Sequence, residues 1–174
     1  MRIKQVFILV IIFGLIFTIN VFSQEKKRAD PVNWSELKPF LIDISGFKKE
    51  GEAEEKNPPN NKFSRVKQDY VAEGDEAIHL ILTISDFGFP SEAIEISKSI
   101  WAIEIDASEK YTKQITIKDQ PGVESYRYDN KEARVLVLIK DRFLVCLEGF
   151  NFKNTSELKN IIQKIDFKGI ANLR

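Results

Sequence analysis

The chain holds one histidine and one cysteine, and that scarcity limits the chemistry its sequence supports. His79 sits in an alternating run and has no second histidine to share a metal or a proton with. A Ser-His-acid arrangement would have to use it, yet no G-x-S-x-G elbow is present to carry the nucleophile. The simplest reading of His79 is a strand residue on the less apolar face. The alternative is a small hydrolase using His79 with a nearby serine and acid. Cys146 lies in an apolar run, where free cysteine behaves as a small buried hydrophobe. One cysteine closes no internal disulfide, so the domain is held by its core.

Asp86-Phe87-Gly88 spells the metal-binding tripeptide of protein kinases. With no Gly-rich phosphate loop and no catalytic-loop motif beside it, the string reads as a strand end and a turn. Its extension, Phe87-Gly88-Phe89-Pro90, puts two phenylalanines in one turn. Phe87 and Phe89 either plug the core or form a sticky loop tip, which makes them candidates for binding a partner. Tyr70, Tyr126 and Tyr128 are candidates to line a concave face, with cross-strand aromatic packing as the structural alternative. The acids Glu50, Glu52, Glu54 and Glu55 lack the spaced aspartates and central glycine of an EF-hand loop and read as a solvated hairpin. Asn33-Trp34-Ser35 and Asn154-Thr155-Ser156 have the form of glycosylation acceptors, which matters only in a eukaryotic secretory route. No residue set qualifies as a catalytic, cofactor or metal site, and no cofactor is expected.

The elements that position these residues follow from periodicity. Asn33 is a plausible N-cap for a short helix through Trp34, Leu37 and Leu41, limited by Pro39. Residues 47–57 predict a weak edge strand, Pro58-Pro59-Asn60-Asn61 a turn, and 63–71 a strand. Ile78, Leu80, Leu82 and Ile84 then alternate with His79, Ile81, Thr83 and Ser85, giving one wholly apolar face and one mixed face. A helix is predicted over 91–103, with Ala93, Ile96 or Ser97, Ile100 and Ile103 as its inner stripe and Trp101 widening it. Hairpin-like segments follow at 111–118, 123–128, 132–140 and 142–150. Gln120-Pro121-Gly122 is read as the first turn and Lys140-Asp141-Arg142 as a tight corner. The continuous run from Val135 to Ile139 fits a central strand covered on both faces. A closing helix is predicted over 154–165. Asn154 and Glu157 form a capping pair there, and Leu158, Ile161, Ile162 and Ile165 sit at i, i+3, i+4 and i+7. Lys159 falls on the opposite, solvent face. The expected fold is therefore α+β: an antiparallel sheet of about six or seven strands flanked by two main helices, on one or both faces.

The first 23 residues carry an address. Arg2 and Lys4 precede an apolar run over 6–22, and Val21-Phe22-Ser23 closes it with a compact exit. This is the pattern of a secretory signal peptide. The run is 17 residues, short of the roughly 20 a spanning helix wants. The rival is a retained anchor, favoured by Lys26, Lys27 and Arg28, because basic residues resist transfer across a membrane. A lipid anchor is disfavoured, since Gln24 stands where a lipobox needs cysteine. The expected organisation is a signal at 1–23, a charged tether at 24–30 and a single α+β domain at 31–174. Of 174 residues, 26 are basic and 26 acidic. Without Arg2 and Lys4 the balance is 24 against 26, which disfavours nucleic acid as a partner. Localisation is read as periplasmic or secreted, or membrane-anchored if the segment stays, and membrane contact is expected only in that case.

Trp34-x-x-Leu37, the Gly46-Phe47 step, Tyr70 with the Ile78-to-Asp86 strand, Arg142-Phe143-Leu144-Val145 through Gly149, and the closing helix to Ile165-Asp166 form one further pattern. It resembles a group of small exported bacterial domains of unknown function. The element order also resembles the Mog1/PsbP-like fold, which includes small periplasmic and lumenal accessory proteins. These resemblances imply an antiparallel sheet between helices and a non-catalytic role, binding a protein or small ligand of the envelope, and carry over no functional residue.

Overall fold

The computed structural model describes residues 29–57 and 62–174. The expected signal or anchor segment, most of the expected tether and the turn predicted at Pro58-to-Asn61 lie outside the described residues. The strands are β1 (Phe47–Lys56), β2 (Ser64–Ala72), β3 (Asp75–Asp86), β4 (Ile105–Asp106), β5 (Lys110–Ile117), β6 (Gln120–Arg127), β7 (Glu132–Ile139) and β8 (Phe143–Phe150). They form one eight-stranded sheet in the order β1-β2-β3-β8-β7-β6-β5-β4, antiparallel at every pairing. The helices are α1 (Trp34–Leu37), which runs into a 3-10 turn at Lys38–Phe40, α2 (Glu92–Trp101), α3 (Ser156–Ile162) and α4 (Phe167–Ala171).

The α+β class stands, with two corrections of count. The sheet has eight strands rather than six or seven, because the two-residue β4 is too short to show an alternation. Short helices replace the two main ones. The predicted closing helix stops at Ile162, and the chain turns before Asp166 caps α4 by accepting from the Gly169 N–H at 2.9 Å. Lys118 Nζ donates to the Ile165 carbonyl in that break, at 3.2 Å. The α3 cap differs too: Thr155 is the N-cap residue and Asn154 instead accepts from the Ser156 N–H. Asn33 does cap α1, in a full capping box with Glu36.

Strand parity builds the core. Val66, Tyr70, Leu80, Leu82, Ile84, Ala133, Val135, Val137, Val145 and Leu147 are fully buried on one face, with Leu82 opposite Leu147 and Val137 opposite Val145. Leu37, Leu158, Ile161, Ile162, Ile165, Phe167 and Ile170 cover them. The predicted closing stripe is thus buried in full, at about 1.5–3 kcal/mol per large aliphatic side chain. The hairpin corners are tight: Lys118 and Asp119, and again Lys140 and Asp141, have φ between 49° and 62°, the left-handed pair of a two-residue hairpin turn. This moves the first turn two residues ahead of Gln120-Pro121-Gly122, and Pro121 lies inside β6 opposite Thr116.

The second sheet face carries His79, Ile81, Thr83, Leu144, Cys146, Glu148, Arg134 and Leu136, all half-buried. β7 is closed on both faces only at its end, where Val137, Leu138 and Ile139 are all buried. There Lys98 and Trp101 of α2 and the C-cap Ala102 share a depression with Gln114, Thr116 and Leu138. The orientation of α2 reverses the expected one. Ile94 is buried, at 2% exposure, while Ile96, Ile100 and Ile103 are 58%, 61% and 61% exposed. The helix docks instead through Ile94, Lys98 and Trp101, spaced i, i+4, i+7. Lys98 on this docked side also pairs with Asp141 in the β7–β8 turn at 2.9 Å.

Candidate functional site

The Asp86-Phe87-Gly88 string ends β3 with its first residue on the buried face, in parity with Leu80, Leu82 and Ile84. Asp86 is fully buried. Arg142, at the start of β8, meets it with both ends of its guanidinium: Nε donates to Oδ1 at 2.8 Å and Nη2 to Oδ2 at 2.6 Å. The same carboxylate accepts from the Gly88 N–H on Oδ1 and the Val32 N–H on Oδ2, each at 2.8 Å. Arg142 Nη2 also donates to the Asp30 carbonyl at 3.0 Å. Asp86 is therefore a structural acid, with its charge matched and its oxygens occupied.

This clamp decides where the chain enters the domain. Val32 and Asp30 are held at the end of β3, and Ala29 exchanges two backbone hydrogen bonds with Phe89, both 2.8 Å. Gly88 makes that approach possible. Its φ is +67°, and a Cβ there would stand 2.7 Å from the Ala29 carbonyl oxygen. The first described residues thus run antiparallel against the turn that leads into α2.

Phe87 and Phe89 flank this contact, both half-buried. Phe87 packs against Phe63, ring centres 5.9 Å apart. A depression of roughly 740 Å3 opens between Phe63, Phe87, Phe89, Pro90 and Ala93. Asp30, Lys62, Ser91 and Glu92 line it as well, so the depression is of mixed polarity. Ala93 also begins the outward side of α2, which continues through Ile96 and Ile100, with Ile103 just past the helix end. Parity and the Phe-Gly-Phe-Pro string pointed to the turn. The exposed side of the helix was hidden, because its stripe has the spacing of a core-facing one.

The other candidates are placed apart. Tyr70 lies on β2, fully buried, and its hydroxyl donates to the Ile42 carbonyl at 2.7 Å. Three strands separate it from Tyr126 on β6, so the three tyrosines share no site. Tyr126 is buried and donates to the Phe152 carbonyl at 2.8 Å. Tyr128 stands over it edge-on at 5.3 Å, and Tyr111 completes the cluster. Burial pushes the Tyr70 and Tyr126 hydroxyls above the ordinary tyrosine range. His79 packs on Phe150 at 5.4 Å and lines a shallow depression with Glu76, Glu50 and Lys48. Ser85, on the same face of the same strand, is six residues away, ~20 Å at 3.3 Å per residue. The Cys146 thiol is pushed up to about 12 by burial, with Glu148 adding to the shift. Among the described residues no cluster of histidine, cysteine and acid side chains is arranged to hold a metal ion.

One polar network escaped the sequence reading. Glu124, mostly buried on β6, accepts from Thr155 Oγ1 at 2.6 Å and pairs with Lys159 Nζ at 2.7 Å. Tyr111 reaches the same threonine at 3.0 Å. Lys159 is therefore no idle solvent-face residue but the tie between α3 and the sheet. Its partners lie over thirty positions away in sequence, and helical spacing carries no sign of them.

Comparison with known proteins gives no matching family model, no matching curated protein and no matching solved structure.

Proposed function

We propose that the chain is an exported, non-catalytic binding domain of the bacterial cell envelope, similar in role to the Mog1/PsbP-like accessory proteins its element order resembles. The observation that carries this reading is the outward arc of α2. Ile96 and Ile100 on one short helix and Ile103 just past its end, all at 58–61% exposure, beside a depression lined in part by phenylalanines, form a patch of the kind that marks an interaction site. The buried charges support the non-catalytic half of the reading. Asp86, Arg142 and Glu124 all hold the fold together, and each faces a permanent internal partner. Full burial of each outward isoleucine against a partner is worth about 1.5–3 kcal/mol.

Among the described residues no helix is long and apolar enough to cross a membrane, so a membrane-tethered form depends on residues 6–22. One observation favours that form: the clamp places the first described residues directly beside the exposed arc of α2. Export is tested with a C-terminal alkaline phosphatase fusion, active only outside the cytoplasm. The full chain should give an active fusion and a chain lacking residues 6–22 an inactive one. Equal inactivity of both would overturn the reading.

A further inference from the structure

We infer that the cleft between Phe47, Phe152 and the start of α3 is a carbohydrate-binding site that takes a neutral pyranose sugar. It is separate from the α2 patch and shares no residue with it. The cleft measures roughly 670 Å3, within the ordinary range of small-ligand sites. Ile78 on its wall lies at the opposite end of β3 from Asp86, ~26 Å away at 3.3 Å per residue.

The floor is aromatic and braced. The Phe47 and Phe152 rings lie at 10° to one another, their centres 6.4 Å apart. Phe152 is buried and Phe47 half-buried, so Phe47 supplies the accessible ring and Phe152 steadies it. Gly149 makes room for that: a Cβ there would stand 2.6 Å from Phe152 Cδ2. The Phe152 backbone is fixed at both ends, its carbonyl accepting from the Tyr126 hydroxyl at 2.8 Å and its N–H donating to the Lys131 carbonyl at 3.1 Å. The face of such a ring is electron-rich, and the weakly positive axial C–H groups of a pyranose stack against it.

The rim is mostly amide and is set in advance. Asn151 Nδ2 donates to the Ala77 carbonyl, which orients that amide and leaves Oδ1 to accept from a ligand. Asn154 Oδ1 accepts from the Ser156 N–H at 2.8 Å, which leaves Nδ2 to donate. An acceptor and a donor held by internal bonds suit a pair of sugar hydroxyls, each of which both donates and accepts. Glu157 and Asn160, three positions apart on α3 and both exposed, add a carboxylate and a third amide at the mouth. Lys153 offsets Glu157, so the lining favours neither an anion nor a cation. A flat apolar floor beside oriented amides, with no net charge, selects a ligand with one C–H face and a girdle of hydroxyls. That is the chemistry of a sugar ring.

The test is calorimetric titration of the purified full chain, kept in a detergent without a sugar headgroup, with chitohexaose, cellohexaose and maltohexaose. At least one of the three should bind. Phe47→Leu, which keeps an apolar side chain but removes the flat ring, and Asn160→Ala should each weaken that binding by ~10-fold, about the worth of one lost contact. Asn160 is exposed, so its variant reads the site without disturbing the fold. The control is Trp101→Leu in the depression beneath α2, the other aromatic-lined hollow, and it should leave binding unchanged. No binding of any of the three at millimolar sugar would overturn the inference. So would binding that both Phe47→Leu and Asn160→Ala leave intact, or that Trp101→Leu alone abolishes. An inactive phosphatase fusion is a separate failure, that of the export reading, and does not touch this site.

Discussion

Removal of the Arg142 guanidinium tests the clamp that sets the geometry of the whole corner. In Arg142→Met the side chain keeps most of its bulk and loses its charge, leaving Asp86 fully buried with only the Val32 and Gly88 N–H groups as donors. Breaking a buried pair from one side costs about 3–5 kcal/mol. The lost bond to the Asp30 carbonyl adds about 0.5–1.5 kcal/mol. Against the ~5–15 kcal/mol expected for a whole domain, that is about a quarter of the stability or more. At roughly 2–4 °C per kcal/mol, the melting temperature should fall by about 7–26 °C. Asp86→Asn in the same chain removes the stranded charge while its amide oxygen still accepts a backbone N–H. The double variant should therefore be clearly more stable than the two single losses added together predict. Urea melts of the four chains, read at constant m, give the coupling. Additive losses, or a single-variant loss below about 1 kcal/mol, would show that the pair is not holding the end of β3.

Four further outcomes follow from the packing. Ile161→Ala should cost about 2–5 kcal/mol as a truncation in the core. Lys159→Ala should also destabilise, through Glu124, while Lys164→Ala on the exposed side should stay within about 0.5 kcal/mol; equal midpoints for Lys159 and Lys164 variants would refute the α3–sheet tie. Because burial raises the Tyr70 and Tyr126 hydroxyls in the folded state, their contribution is complete below the unfolded tyrosine value of about 10 and is lost as pH rises through the folded values. Stability measured by urea midpoint should thus decline on the alkaline side of pH ~10 and less steeply in Tyr70→Phe, and an unchanged slope would contradict the assignment. Cys146, with its thiol pushed up to about 12, should react slowly with a disulfide reagent at neutral pH and at full speed in urea; a fast native reaction would place it in solvent.

Much of the fold was legible because strands announce themselves by parity. β3 could be read residue by residue through Ser85; Asp86 was read only as the strand end, although the alternation of Leu80, Leu82 and Ile84 extends to it and puts it on the buried face. Its partner was not legible. Arg142 lies 56 residues on, and no local rule selects one base among 26. The helix α2 failed for a different reason. Both of its sides are apolar, and periodicity ranks stripes by strength without knowing which one meets the sheet. The Tyr70–Tyr126 grouping failed because sequence order is not sheet order: β3, β8 and β7 lie between the strands that carry them.

The central claim is that the α2 arc is the working surface of the domain in the cell. A photoactivatable residue placed at Ile100, and at Glu76 as the control, reports directly on what covers each position in living cells. The account predicts adducts of defined added mass at position 100, with none at position 76. No adduct at 100, or the same adducts in equal yield at both positions, would contradict it.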